Sequence, residues 1–162
     1  MATISFKNGD EYLMKISKLE AELKDEVCGE AIYGAAGIVA DEIRAKLEAV
    51  PTDERYGTSS DPTRGPKAVQ KEALLDALGI SSMKEHDGYL DVKIGFDGYN
   101  GVTTKRWPNG QPNQMVARSV ERGTTWMKAN PFVKKAVAAS RKRATEFMKK
   151  SVDQSIQKIM DN

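Results

Sequence analysis

The chain has 162 residues, of which 40% are hydrophobic and 30% charged; this suits one domain with a core of its own, and is too polar for a membrane protein and too apolar for disorder. The net charge of +2 conceals an asymmetry: residues 1–62 carry 7 Lys/Arg against 13 Asp/Glu, and residues 63–162 carry 18 against 10. No apolar run nears the roughly 20 residues of a membrane-spanning helix, no secretory leader is read at the N-terminus, and a lone cysteine, Cys28, admits no internal disulfide and suits a reducing cytoplasm.

Residues 2–6 alternate in polarity and predict a short strand, and the turn Asn8-Gly9-Asp10 leads into a helix whose stripe is Leu13, Ile16, Leu19 and Leu23. A second helix is expected from Asp25 to Ala49, stopped by Pro51. Its middle is dense in small residues, among them Gly29, Gly34 and Gly37. Interior glycines cost about 1 kcal/mol each against alanine, so a close neighbouring backbone is expected there.

Residues 52–67 carry turn chemistry and little apolar area beyond Tyr56, and read as a long inserted loop in a single domain of residues 1–162. An ordered loop of this composition is expected to be held from outside the subunit. A helix over Ala68–Leu78 with Gly79 as its C-cap follows, then a strand over Ile80–Met83, a hairpin turn at Glu85–Gly88 and an alternating strand over Tyr89–Phe96. Residues 98–113 read as a long loop or irregular hairpin, with part of 99–106 a candidate for the sheet.

A short helix over Gln114–Arg122 stops at Gly123. After the loop Thr124–Asn130, Asn130 is read as cap and Pro131 as the first residue of a terminal helix reaching about Met160, roughly 40 Å long. The fold class is therefore α+β: a small antiparallel sheet packed by helices, with a long C-terminal helix.

Little here points to covalent chemistry. His86 stands in an acidic turn without the His or Cys neighbours of a metal site, and Cys28 reads as a small buried apolar residue. The adjacent pairs Asp25-Glu26, Asp41-Glu42 and Asp53-Glu54 read as solvated surface, and no nucleotide or nucleophile-elbow motif occurs. No catalytic residue, cofactor or metal is assigned, and the chain is read as a non-enzyme. The strongest charge feature is residues 128–150, with eight basic residues, Arg141, Lys142 and Arg143 among them, against one acid, Glu146. Such a face suits docking on the acidic half of another copy or non-specific contact with DNA phosphates.

The segment Ala117-Arg118-Ser119-Val120-Glu121-Arg122-Gly123-Thr124, followed by Pro131-Phe132-Val133-Lys134-Lys135-Ala136, resembles the tail-component family of long-tailed phages, which includes tail-completion and neck proteins. Glu121, Gly123, Thr124, Pro131, Phe132 and Ala136 carry the likeness; a long insertion, Asp53–Lys71, and Lys135 in place of a second proline depart from the family's pattern.

The resemblance implies a non-catalytic virion structural subunit at the head–tail junction, made in the host cytoplasm. It implies a homo-oligomeric ring, six-fold or twelve-fold, meeting other neck or tail proteins and enclosing DNA, with no membrane partner. In the residues themselves, Gly123 is suited to a positive φ, Phe132 to the core, and Trp126 to an exposed anchor for a partner. The alternative function is a small DNA-associated binding protein using the basic C-terminal helix.

Overall fold

The computed structural model describes residues 2–5 and 21–160, and the side chains of residues 26–158. In chain order its elements are β1 (Ala2–Ser5), α1 (Ala21–Glu48), α2 (Ala68–Ala77), β2 (Leu78–Ile80), β3 (Lys84–His86), β4 (Tyr89–Phe96), α3 (Asn113–Arg122) and α4 (Phe132–Met160). This is the α+β architecture expected, a small antiparallel sheet covered by helices and closed by a long C-terminal one.

The alternation of Tyr89–Phe96 makes β4 the central strand, with Val92 and Ile94 turned into the core. β1 pairs along one edge of β4; β2 and then β3 share the other. Ile80 faces Ile94 while Lys84 faces Asp91, so three residues on the edge oppose two on β4, and the strand bulges there. Ser81 bridges the gap, its N–H donating to the Lys93 carbonyl and its Oγ accepting the Lys93 N–H. Asp87 (φ 50) and Gly88 (φ 79) form the two-residue turn between β3 and β4, which leaves His86 in the strand.

Several boundaries differ from the sequence reading. The expected first helix falls largely on residues 6–20, outside the described residues. The second begins earlier than expected: α1 already runs from Ala21, because Ala21–Glu26 contain no Gly or Pro to stop a helix. Gly79 is no C-cap; Leu78 itself turns extended (φ −69, ψ 117) and Gly79 pairs with Gly95 in the sheet. Residues 99–106 stay outside the sheet. They belong to an irregular hairpin closed by Asn100 and Gln111 and by a tip in which Thr104 and Trp107 exchange backbone hydrogen bonds.

α1 is the central helix, packed against the sheet and antiparallel to α4. Both bury residues in steps of four: Val27, Ala31, Ala35, Val39, Ile43 and Leu47 on α1, and Phe132, Ala136, Ser140, Ala144, Met148 and Val152 on α4. Such rows interlock as ridges in grooves, and their small residues let the axes come close. The Ser140 hydroxyl donates to the Ala136 carbonyl, so its burial leaves no orphan donor. Among the described residues, no backbone of another element comes within 4 Å of a Cβ placed on the glycines of α1, where one was expected. Within the same set, Gly34 is covered by the ring of Phe147, Gly29 has only the Met83 methyl near it, and Gly37 has nothing within 4 Å of where a Cβ would stand.

Helix ends are closed by side chains of other elements. Lys71 Nζ, from α2, donates to the Glu48 and Val50 carbonyls at the end of α1, and Arg44 of α1 donates to the Leu75 carbonyl on α2.

Candidate functional site at the corner between α3 and α4

The residues carrying the family resemblance meet in one corner. α3 buries Val116, Ala117 and Val120 and ends at Gly123, whose φ of +75 and ψ of 171 lie in a region that is essentially glycine's alone. A Cβ on Gly123 would also press on the Ala129 backbone at 2.8 Å. Thr124 and Met127 then exchange backbone bonds across a tight turn, and Thr124 Oγ1 accepts the Trp126 N–H.

The start of α4 is held by Glu121, not by Asn130. Glu121 Oε2 accepts the Val133 N–H at 2.8 Å and Oε1 the Lys134 N–H at 3.0 Å, covering two of the donors that a helix start leaves unpaired. The Asn130 amide points elsewhere, donating to the carbonyls of Arg64 and Lys128. The helix proper opens at Phe132, one residue later than expected, with the Pro131 carbonyl accepting the Lys135 N–H. Phe132 is 2% exposed and stands edge-on to Phe96 at 5.9 Å, tying α4 to the end of β4; Ala136 is fully buried one turn on.

The inserted loop is held by its own chain, where a hold from outside the subunit was expected. Thr63 donates its N–H to the Trp126 carbonyl at 2.8 Å and accepts the Lys128 N–H at 2.9 Å, a short parallel bridge between loop and corner. Gly57 lies so close to the Trp126 carbonyl that a Cβ would collide with it. Asp53 organises the loop from within, accepting Nε and Nη2 of Arg55 and the backbone N–H groups of Arg55 and Arg64. These bonds, the Arg55 side chain first, hold its carboxyl well below the ordinary carboxylate range, and the same pairing, with Asp61, raises the Arg55 guanidinium further.

Glu54 accepts the Ala68 N–H at the start of α2. The pair Asp53-Glu54, read as solvated surface, is thus structural. What could have flagged it is its place, just after the Pro51 helix stop and ahead of a helix start that lacks its own Ser, Thr or Asp cap.

Two large aromatics remain outside this packing. Trp126 is 61% and Tyr56 89% exposed, on the rim of a shallow groove of about 490 Å³ between loop and α3; Lys67 Nζ lies 4.2 Å from the centre of the Tyr56 ring. On α4, Arg141 and Lys142 are exposed, and Lys142 makes a long contact of 3.9 Å with Glu146. Arg143 is engaged within the chain, reaching Glu42 of α1 at 2.8 Å. Glu42 also pairs with Lys46 at 3.2 Å, and Lys46 first and Arg143 next hold its carboxyl below the ordinary range. The structure therefore does not bring Arg141–Arg143 together with the corner as one site. A second groove, beside α3 and the start of α4, is lined by Arg118, Arg122 and Lys134; Lys134 is one of the basic residues read in 128–150, whereas the two arginines were not singled out for their charge.

His86 is exposed, 3.7 Å from Asp91, and Cys28 is half-buried between the core and the cluster of Val27, Ala31 and Val152. Among the described residues no group of three or more His, Cys, Asp or Glu is placed to hold a metal ion, and no helix is long and apolar enough to cross a membrane. Compared with protein-family models, with curated proteins and with solved structures, the chain matches none.

Proposed function

We propose that the chain is a virion structural subunit, a tail-completion or neck component assembling as a ring at a phage head–tail junction and working by fit and charge, without covalent chemistry. The observation that supports this is the corner itself. Glu121, Gly123, Thr124, Pro131 and Phe132, which carry the resemblance, act as one device that ends α3, turns the chain and starts α4. It presents Trp126 outward on a backbone fixed from both sides, a preordered anchor of the kind partners use.

The test is genetic and compositional. Particles of the phage that encodes the chain should contain it by mass spectrometry, and disrupting its gene should leave heads and tails unjoined in electron micrographs. Complete, infectious particles without the chain overturn the reading.

A second reading, DNA association, draws on the exposed cations of α4, where Lys134, Lys135, Arg141, Lys149 and Lys150 make no ion pair among the described residues. Tight binding to duplex DNA that weakens steeply with salt, in the absence of any particle, would favour it.

A further inference from the structure

We infer that copies of this chain dock head to tail, the outward stripe of α1 on one copy seating in the groove between α3 and α4 of the next. The inference rests on the reading of the chain as an assembling subunit and names the two surfaces that do it.

The groove encloses about 1150 Å³ and has an apolar floor that includes Phe96, Met115 and Val137. Its rim carries Arg118, Arg122 and Lys134, none in an ion pair among the described residues. Glu121, also on the rim, has both oxygens committed to the start of α4. The surface is therefore apolar in its floor and cationic at its edge, and the partner that suits it is an acidic one with an apolar centre.

α1 offers such a partner. Glu26, Glu30, Tyr33, Asp41 and Glu48 are all exposed and recur at helical spacing, so they share one face of this central helix; Arg44, the exposed cation on that face, is turned to the Leu75 carbonyl. The four carboxylates make no ion pair among the described residues. Tyr33 is half-exposed yet fixed, its hydroxyl accepting the Met83 N–H at 2.7 Å, so little side-chain freedom is lost when it is covered. Among the described residues, Gly37 has nothing within 4 Å of where a Cβ would stand, which leaves room there for a neighbour.

The spacings agree as well. Glu26 and Glu30 are one turn apart on α1, as Arg118 and Arg122 are on α3, each pair separated by a rise of about 6 Å, so two helices laid side by side bring both pairs into register. Stripe and groove are different surfaces, so the contact repeats from copy to copy and closes into a ring when the rotation allows.

Sedimentation of the purified chain tests this. The wild-type chain should self-associate at low salt and dissociate as salt is raised. The variants E26R/E30R and R118E/R122E should each weaken self-association roughly tenfold or more, with unchanged Tm because all four side chains are exposed. An equimolar mixture of the two variants should assemble again, since each then supplies the charge the other now needs.

A wild-type chain that is monomeric at every concentration, either variant assembling alone like wild type, or a mixture that stays monomeric overturns the inference. So does a monomeric chain whose binding to a short DNA duplex is lost in R118E/R122E, which would assign the groove to phosphate. A chain present in particles but never self-associating sinks this inference alone. Self-association through these surfaces by a chain absent from particles sinks the virion reading alone.

Discussion

The carboxylate of Glu121, on the last turn of α3, accepts the backbone N–H of Val133 on the first turn of α4 at 2.8 Å, so the end of one helix caps the start of the next. The same group takes the Lys134 N–H. Glu121→Ala should therefore lower stability by about 1 kcal/mol, as loss of a helix cap does. Glu121→Gln, which keeps one acceptor oxygen, should cost less. Thermal unfolding of the three proteins checks this; equal Tm values would mean that the cap contributes nothing.

Phe132 and Trp126 should separate stability from assembly. Phe132→Ala opens a cavity beside Phe96 and should cost roughly 3 kcal/mol or more. Trp126→Ala keeps the backbone carbonyl that Thr63 bonds to and removes an exposed ring, so Tm should hardly move. Incorporation into particles should nonetheless fall, measured by quantitative mass spectrometry of purified virions. A Tm loss for Trp126→Ala as large as for Phe132→Ala would place the ring in the core.

The glycines of α1 make a paired prediction. Gly37→Ala meets no described residue within 4 Å and should stabilise the monomer by about 1 kcal/mol through helix propensity, a rise in Tm of about 2–4 °C. Gly34→Ala displaces the Phe147 ring and should gain less. In a Phe147→Ala background the full gain should return. Additive effects in that double-mutant cycle would mean that the ring does not rest on Gly34.

Asp53 predicts acid sensitivity of the loop. Its carboxyl is depressed by Arg55 and by two backbone N–H groups, so it stabilises the folded chain above its ordinary value and loses this contribution as pH falls toward the folded value. The window opens below about pH 4. Pepsin cleavage within residues 52–66 should accelerate there in the wild type. In Asp53→Asn, which cannot ionise, cleavage should already be faster at the upper end of that window and change less with pH. Identical pH profiles for the two proteins would sink this assignment.

The sequence by itself determined what depends on neighbouring residues. Alternation placed β4 from Tyr89 to Phe96, Asp87-Gly88 set its hairpin turn, Gly123 ended α3 with a positive φ, and helical spacing carried α4 to Met160 with Phe132 in the core. These are local signals, because backbone torsions and side-chain periodicity act within a few residues. Only the tertiary structure decided the remainder. Thr63 reaches Trp126 across 63 residues, Asn130 reaches Arg64 across 66, and Arg143 reaches Glu42 across 101. A carboxylate in sequence looks the same whether water surrounds it or N–H groups do. Asp53, Glu54 and Glu121 thus became structural only when folding brought donors to them, and Arg118, Arg122 and Lys134 became one rim only when α3 and α4 met.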